Sequence, residues 1–214
     1  MTTPICKWCE KPHIVYKNEL TDPDCRCESI REYCLYPLLE DMTDRMRTAM
    51  WERIPEPILE TVNKILKQLS DGGDIQGLWI RSGVGTGKTM AFGLVAQKIA
   101  LEHEKTARYV NVVQLFRRMT EDINLSDEVL APYLYCDLLL LDDLGKEYST
   151  SWKNEVLYYL IDSRYQANRP MWIATNIDGK ELAKRCGPAI VDRISEVCVP
   201  LVFDARSMRV PAKP

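Results

Sequence analysis

A glycine-rich segment that carries a lysine and a threonine runs from Arg81 to Met90 with the sequence RSGVGTGKTM. It follows a short apolar run and precedes a helical pattern, and a loop in that setting can bind phosphate. Its glycines let backbone N–H groups turn towards phosphate oxygens, and the following helix N-terminus adds its dipole. Lys88 is placed to reach the β- and γ-phosphates of a nucleotide, and Thr89 to bring its hydroxyl to Mg²⁺. The candidate nucleotide-binding residues of this loop are Ser82, Gly83, Val84, Gly85, Thr86, Gly87, Lys88 and Thr89.

The loop departs from the strict phosphate-loop pattern GxxxxGK[ST] at its first position, which is Ser82. The glycine comes one residue later, at Gly83, and we expect it to free the start of the loop so that a serine is tolerated. The GxGK[ST] core between a strand and a helix is intact. It predicts the binding of ATP together with Mg²⁺.

Polar side chains follow two further apolar runs. Asp142 and Asp143 come directly after four leucines in DLLLLDDLG, and Asn176 lies near the end of MWIATNI. Such runs are typical of strands buried on both faces, and ligands bind at the carboxyl ends of these strands. We therefore expect Asp142 to hold Mg²⁺, directly or through water, and Asp143 to orient or deprotonate the attacking water. Asn176 is placed either to hold that water or to contact the γ-phosphate.

Five of the eight cysteines lie within the first 34 residues. Two close thiolate pairs, one CxxC and one CxC, flank a turn-rich segment and can surround one tetrahedral Zn²⁺. A segment this short with few large aliphatic residues needs a bound metal ion to stabilise its fold. The metal would be structural, because the protein supplies all four ligands and leaves no open position for chemistry. Cys34 or His13 remains an alternative to Cys27. The predicted zinc ligands are Cys6, Cys9, Cys25 and Cys27.

The rest of the chain alternates between strand and helix patterns, which predicts an α/β fold with a parallel sheet covered on both sides. A helix is expected over 28–51, broken or kinked at Pro37, and its methionine-rich face is expected to be core rather than a partner surface. The strands are predicted at 78–81, 107–112, 138–141, 171–175 and 198–203. The further helices are predicted at 57–70, 90–103, 113–122, 152–168, 179–185 and 188–195.

The composition describes an ordinary globular chain of 214 residues with a net charge of −3. No apolar run of about 18 residues predicts a membrane span, and no apolar region near the start predicts a secretory signal, so we expect a cytoplasmic protein. Contact with nucleic acid would need a local basic patch. Arg117 and Arg118 are candidates for it, although a solvated helix face explains them equally well.

The order of these motifs resembles that of one protein family. Between residues 59 and 209 the chain carries the phosphate loop, LLLLDDLG, IDSRYQANRPMWIATNI and VDRI in succession. It thereby resembles the AAA+ ATPases of the DnaC/DnaI helicase-loader group and the related IstB transposition ATPases. The resemblance implies a three-layer AAA+ sandwich with a five-stranded parallel sheet in the order 5-1-4-3-2, without the C-terminal helical lid of most AAA+ proteins.

The resemblance also implies roles for individual residues. The phosphate loop would be the Walker A motif, and Asp142 and Asp143 the Walker B motif, with Asp143 where many AAA+ enzymes carry Glu. Asn176 would be sensor 1. Arg193, which composition alone marks only as a solvated charge, would be the arginine finger that acts on ATP in a neighbouring subunit. Arg209, in ARSMR, would match the group's C-terminal arginine motif and contact the nucleotide.

A finger supplied in trans implies head-to-tail contacts that build rings or open spirals. The chain would divide into a zinc-binding module (1–34), a helical linker (35–56) and an AAA+ ATPase domain (57–214). The resemblance implies that the amino-terminal module grips a hexameric replicative helicase, with the methionine-rich helix at 28–50 as a further contact. The compact size suggests a phage or mobile-element version.

The implied function is ATP-dependent delivery of that helicase to single-stranded DNA. One alternative is an IstB-type ATPase that recruits a transposase to DNA, against which the amino-terminal cysteines argue. A second is a phosphate-loop kinase for a small molecule, which would need a lid that the sequence does not indicate. A third is a zinc-stabilised adaptor that binds ATP and scarcely hydrolyses it.

Overall fold

The computed structural model describes residues 34–121, 126–146 and 150–203. A 3₁₀ turn at Trp51–Arg53 precedes the main domain. The strands are β1 (Gly77–Arg81), β2 (Ala107–Asn111), β3 (Leu138–Asp142), β4 (Met171–Thr175) and β5 (Cys198–Val202). The helices are α1 (Tyr36–Asp41), α2 (Asp44–Arg47), α3 (Glu56–Ser70), α4 (Lys88–His103), α5 (Val112–Glu121), α6 (Ser126–Tyr135), α7 (Ser151–Gln166), α8 (Gly179–Cys186) and α9 (Pro188–Val197).

The five strands form one parallel sheet in the order β2-β3-β4-β1-β5. This is the predicted order 5-1-4-3-2 read from the opposite edge. The strands β3 and β4 are buried along their whole length, as continuous apolar sequences such as LLLL require. The predicted α/β class and sheet order are therefore confirmed.

Helices cover both faces of the sheet and produce two separate apolar cores. One core places α3 and α4 against Leu78 and Ile80 of β1, and the other places α5 to α9 against Trp79 of the same strand. Successive residues of β1 face opposite sides because side chains alternate along a strand. The molecule is thus the expected three-layer sandwich.

The parallel pairing brings the ends of four strands to one edge. Asn111 at the end of β2 is the register partner of Asp142 at the end of β3, and Arg81 of β1 is the partner of Thr175 of β4. The phosphate loop leaves β1 at this same edge and enters α4. The candidate residues of three distant sequence motifs therefore meet there.

The prediction of a helix over 28–51 is wrong for residues 34–51, which are the part of that range that the structure describes. The chain forms the short helices α1 and α2 and then the 3₁₀ turn. Pro37 does not break a helix but occupies the first turn of α1, where the missing N–H costs nothing. Met42 and Met46 are buried against the core of α3 and α4, as the core interpretation of the methionine-rich face predicts, whereas Met50 is 44% exposed and departs from it.

The first arginine of the segment IDSRYQANRP is part of the core. Arg164 is fully buried, and its Nη1 donates to the carbonyls of Tyr133 (2.7 Å) and Cys136 (3.1 Å) at the end of α6. Its Nη2 donates to the carbonyl of Pro170 at 2.8 Å, just before β4. This side chain fixes α6 and α7 to the strands β3 and β4. Among the described residues, no helix combines the length and the hydropathy needed to cross a bilayer.

Candidate nucleotide-binding site

The phosphate loop takes a tight backbone path into α4. Gly85 has φ 77° and Gly87 has φ 89°, both in the left-handed region that favours glycine. Gly83 does not have a positive φ, and a Cβ there would meet only Thr86 Cγ2, at 3.9 Å. The expectation that Gly83 supplies conformational freedom at the start of the loop is therefore wrong.

A hydroxyl pair explains the serine at the first position of the loop. The Oγ of Ser82 lies 2.6 Å from Oγ1 of Thr86, and both residues are buried. Thr86 also donates to the carbonyl of Gly83 at 3.1 Å. These bonds tie the two ends of the loop together, so Ser82 contributes an interaction that a glycine could not make.

The side chain of Lys88 crosses the loop towards the end of β4. Its Nζ donates to the carbonyls of Ser82 (2.9 Å) and Gly83 (2.8 Å) and to Oδ1 of Asn176 (2.7 Å). The pKa of Lys88 is lowered to about 8, mainly by burial and in addition by the positive charge of Lys146, while Asp142 and Asp143 oppose the shift. The structure thus brings together two site residues that lie 88 positions apart in the sequence.

The side-chain oxygens of Thr89 and Asp142 lie together beside the loop. The Thr89 hydroxyl donates to Oδ2 of Asp142 at 2.5 Å, and the hydroxyl of Tyr109 donates to the same atom at 3.0 Å. Burial raises the pKa of Asp142, because the charged form loses hydration. A hydroxyl and a carboxylate next to a phosphate loop are the hard donors that Mg²⁺ prefers, so these residues fit a magnesium nucleotide.

The Asp143 carboxylate contacts three polar side chains. Asp143 has φ 60°, a left-handed conformation that is uncommon for a residue with a Cβ. Its Oδ2 accepts from Asn111 at 2.9 Å, and its Oδ1 contacts Lys146 at 2.5 Å and Asn176 at 3.5 Å. The backbone and these partners fix the carboxylate next to the Lys88 ammonium.

Tyr109, Asn111 and Lys146 belong to this site, and sequence reasoning missed them. Asn111 lies next to the end of the predicted strand 107–112, and Asp142 and Asn176 directly follow the predicted strands 138–141 and 171–175. The strand-end signal that identified the other two therefore applies to Asn111 as well. Tyr109 faces the site two residues earlier on the same strand. The place of Lys146 depends on the turn after β3, for which the sequence offers no comparable signal.

Arg193 lies on α9 and contacts a different part of the molecule. It forms an ion pair with Asp162 of α7, and its Nη2 donates to the hydroxyl of Tyr158 at 2.6 Å. Its guanidinium also lies 4.7 Å from the ring centroid of Tyr158 and 5.6 Å from that of Tyr165. These contacts run to α7, so the structure does not bring Arg193 into the group around Lys88.

Several predicted residues lie outside the described part of the chain. They are Cys6, Cys9, Cys25, Cys27, His13 and Arg209. Cys34 is described and is buried with Leu35, Ala100 and Leu101, and burial raises the pKa of its thiol. Within the described ranges, no group of three or more His, Cys, Asp or Glu is arranged to hold a metal ion.

The two candidate arginines for DNA contact differ in their surroundings. Arg117 has 81% of its side chain exposed and pairs with Glu121 at 3.0 Å on the same helix. Arg118 donates to the Tyr133 hydroxyl at 2.8 Å and lies 3.7 Å from Asp41. Arg118 is therefore tied to the helix α1, and Arg117 is the more accessible of the two.

The sheet order, the phosphate loop after β1 and the paired carboxylates after β3 together define the fold and nucleotide-site layout of an AAA+ ATPase. No protein-family model matches the chain. The chain is 25% identical over 188 residues to the replicative helicase loader DnaI of Bacillus subtilis, a match that covers 80% of this chain and 57% of that protein. The chain thus spans little more than half the length of this relative.

Two solved structures show the same fold. The crystal structure of DnaI superposes with a TM-score of 0.66 at 20% identity, and covers 78% of this chain and 94% of that one. The crystal structure of the DnaC helicase loader superposes with a TM-score of 0.61 at 22% identity, and covers 75% of this chain and 99% of that one. Sequence and fold together confirm the resemblance to the DnaC/DnaI helicase-loader group.

Proposed function

We propose that this chain is an ATP-dependent loader that delivers a hexameric replicative helicase to single-stranded DNA. The observation that carries the proposal is the sequence match to the loader DnaI over 80% of the chain, combined with a phosphate loop whose Lys88 and Thr89 contact Asn176 and Asp142. The solved relatives named DnaI and DnaC support the fold of such a protein. No comparable observation favours the transposition ATPase or the kinase.

In this proposal the phosphate loop binds ATP. Backbone N–H groups between Ser82 and Lys88 contact the phosphates, and the Lys88 ammonium neutralises the β- and γ-phosphates. Thr89 and Asp142 would hold Mg²⁺, which would supply positive charge beside the same phosphates. Tyr109 keeps the Asp142 carboxylate oriented through its bond to Oδ2.

Hydrolysis in this proposal depends on Asp143 and Asn176. Asn176, which lies next to Lys88, orients the attacking water or the terminal phosphate. Asp143 accepts a proton from that water. The water oxygen forms the new bond to the terminal phosphorus, while the bond to the bridging oxygen of ADP breaks and ADP and phosphate leave.

Self-association completes the proposed site. Arg193 of one subunit would reach the terminal phosphate bound by the next, where its charge stabilises the transition state. Arg209 would contact the nucleotide as well. Because such a contact is head-to-tail, it generates a ring or an open spiral, and ATP links neighbouring subunits. The zinc-binding module at 1–34, held by Cys6, Cys9, Cys25 and Cys27, would grip the helicase.

The experiment that tests this function is co-purification of the full chain with a hexameric replicative helicase, with and without ATP. We expect ATP-dependent retention of the wild type, retention of Asp143→Asn without turnover, and loss of retention in Lys88→Met. Retention on a transposase instead would support the transposition ATPase, and stimulation of turnover by a small phosphate acceptor would support the kinase. Either result would contradict the loader.

A further inference from the structure

Lys146 lies at the end of the turn that follows β3. Its backbone N–H donates to the carbonyl of Asp143 at 3.1 Å, and Gly145 takes φ 86°, so the chain folds back over the end of the strand. The Nζ of Lys146 contacts Oδ1 of Asp143 at 2.5 Å, while 42% of the side chain is exposed. The ammonium group therefore lies at the rim of the candidate site and can move.

A continuous series of polar contacts joins Lys146 to Lys88. The Oδ1 atom of Asp143 that contacts Lys146 also accepts from Nδ2 of Asn176 at 3.5 Å. The Oδ1 of that asparagine accepts from Nζ of Lys88 at 2.7 Å. One ammonium group thus contacts each member of the same Asn–Asp pair.

Two converging ammonium groups favour a ligand with several anionic oxygens. The terminal phosphoryl group of ATP has this chemistry, and a phosphate-loop lysine places that group next to Lys88. The inner phosphates lie deeper, against the backbone of the loop. ADP lacks the terminal phosphoryl group, so a contact from Lys146 to that group would distinguish ATP from ADP.

We propose that Lys146 is a second contact for the terminal phosphoryl group of ATP and leaves Oδ1 of Asp143 to make it. This proposal rests on the ATP binding proposed above. It couples binding to catalysis, because Oδ1 of Asp143 becomes free to accept a hydrogen bond from water only when Lys146 has moved to the phosphate. ADP would leave the Lys146–Asp143 ion pair intact.

The test compares the dissociation constants of ADP and a non-hydrolysable ATP analogue, both with Mg²⁺, by displacement of a fluorescent nucleotide. For Lys146→Met we expect about tenfold weaker binding of the ATP analogue and less than about twofold weaker binding of ADP, the size of one charge-assisted contact. Lys146→Arg, which keeps the positive charge, should retain most of the preference for the analogue.

Lys98→Met is the matched control. Lys98 forms an ion pair of the same 2.5 Å length with Glu102, and it lies ten residues along α4 from Lys88, about 15 Å at the rise of a helix. It should bind both nucleotides like the wild type. Suppose that Lys88→Met abolishes nucleotide binding as expected. If Lys146→Met then weakens the binding of both nucleotides equally, or of neither, the Lys146 contact is overturned. Normal binding by Lys88→Met would instead overturn the proposed ATP site itself.

Discussion

Arg193 of α9 is bonded to Asp162 of α7 through its Nε atom, in an ion pair where the side chains are 20% and 26% exposed. The hydroxyl of Tyr158 accepts from Nη2 of the same arginine. The guanidinium therefore has a fixed orientation within its own subunit. A long flexible side chain loses less entropy on reaching a ligand when neighbours already restrict it.

We therefore expect Asp162 to position the proposed arginine finger. Asp162→Ala should lower kcat for ATP hydrolysis by about tenfold, with an unchanged dissociation constant for ATP, because it removes one charge-assisted bond to Arg193. Steady-state ATPase rates and nucleotide titrations measure the two quantities. Glu155→Ala removes an exposed carboxylate of the same helix and serves as the control. A loss of ATP affinity in Asp162→Ala, or an unchanged kcat, would contradict this role.

The lowered pKa of Lys88 predicts that ATP binding depends on pH. Phosphate binds the protonated amine, and the protonated fraction of free Lys88 falls as the pH rises through about 8. Between pH 8 and 10 the dissociation constant for ATP should therefore rise by about tenfold for each pH unit. Lys88→Arg keeps its proton throughout and should show a much flatter profile. Calorimetry measures the dissociation constant for ATP at each pH. If the wild type and Lys88→Arg show the same dependence on pH, Lys88 is not the titrating group.

The bond from Asn111 to Asp143 predicts an effect on catalysis that is separate from nucleotide binding. Asn111→Ala removes the 2.9 Å bond to Oδ2 and frees the carboxylate that we propose as the base. We expect kcat to fall by about tenfold with little change in ATP affinity, whereas Asp143→Asn should lose about 100-fold or more because it removes the base. Single-turnover rates measure the chemical step. A normal rate in Asp143→Asn would show that another group handles the water.

The cysteine pairs predict one zinc ion per chain. Metal analysis of the full-length protein should find about one equivalent of zinc, and Cys25→Ser should lower it strongly because a tetrahedral site loses a thiolate. Cys34→Ser should keep its zinc, since Cys34 is buried in an apolar cluster. Loss of zinc in Cys34→Ser with retention in Cys25→Ser would reverse the predicted ligand assignment.

Sequence patterns predicted the strands of the sheet and pointed to Lys88, Thr89, Asp142 and Asn176, which the structure brings into two contacting pairs. Continuous apolar runs identify β3 and β4 because strands buried on both faces have no polar positions. The helix α6 escaped prediction, since its sequence SDEVLAPYLY has weak helical periodicity and contains Pro132. The expected break at Pro37 is wrong because a proline interrupts a helix only in its interior and is tolerated in its first turn. The sequence around Pro37 does not show where the helix begins.

The remaining site residues depend on three-dimensional register. Asn111 contacts Asp143 only because β2 pairs in parallel with β3 and ends beside it. Lys146 depends on the left-handed conformations of Asp143 and Gly145 in one turn. The pairing of Arg193 with Asp162 results from the packing of α9 on α7. Local propensity does not encode such contacts between distant elements.

The proposal that ATP lies between two subunits is tested most directly by mixing two inactive variants. Lys88→Met should not bind ATP but still carries Arg193, and Arg193→Ala should bind ATP but lacks the finger. If the finger acts in trans, each variant alone should be nearly inactive, and an equimolar mixture should regain a substantial part of the wild-type ATPase rate per mole of Arg193→Ala. A mixture that is no more active than the sum of its separate components would contradict a site shared between neighbouring subunits.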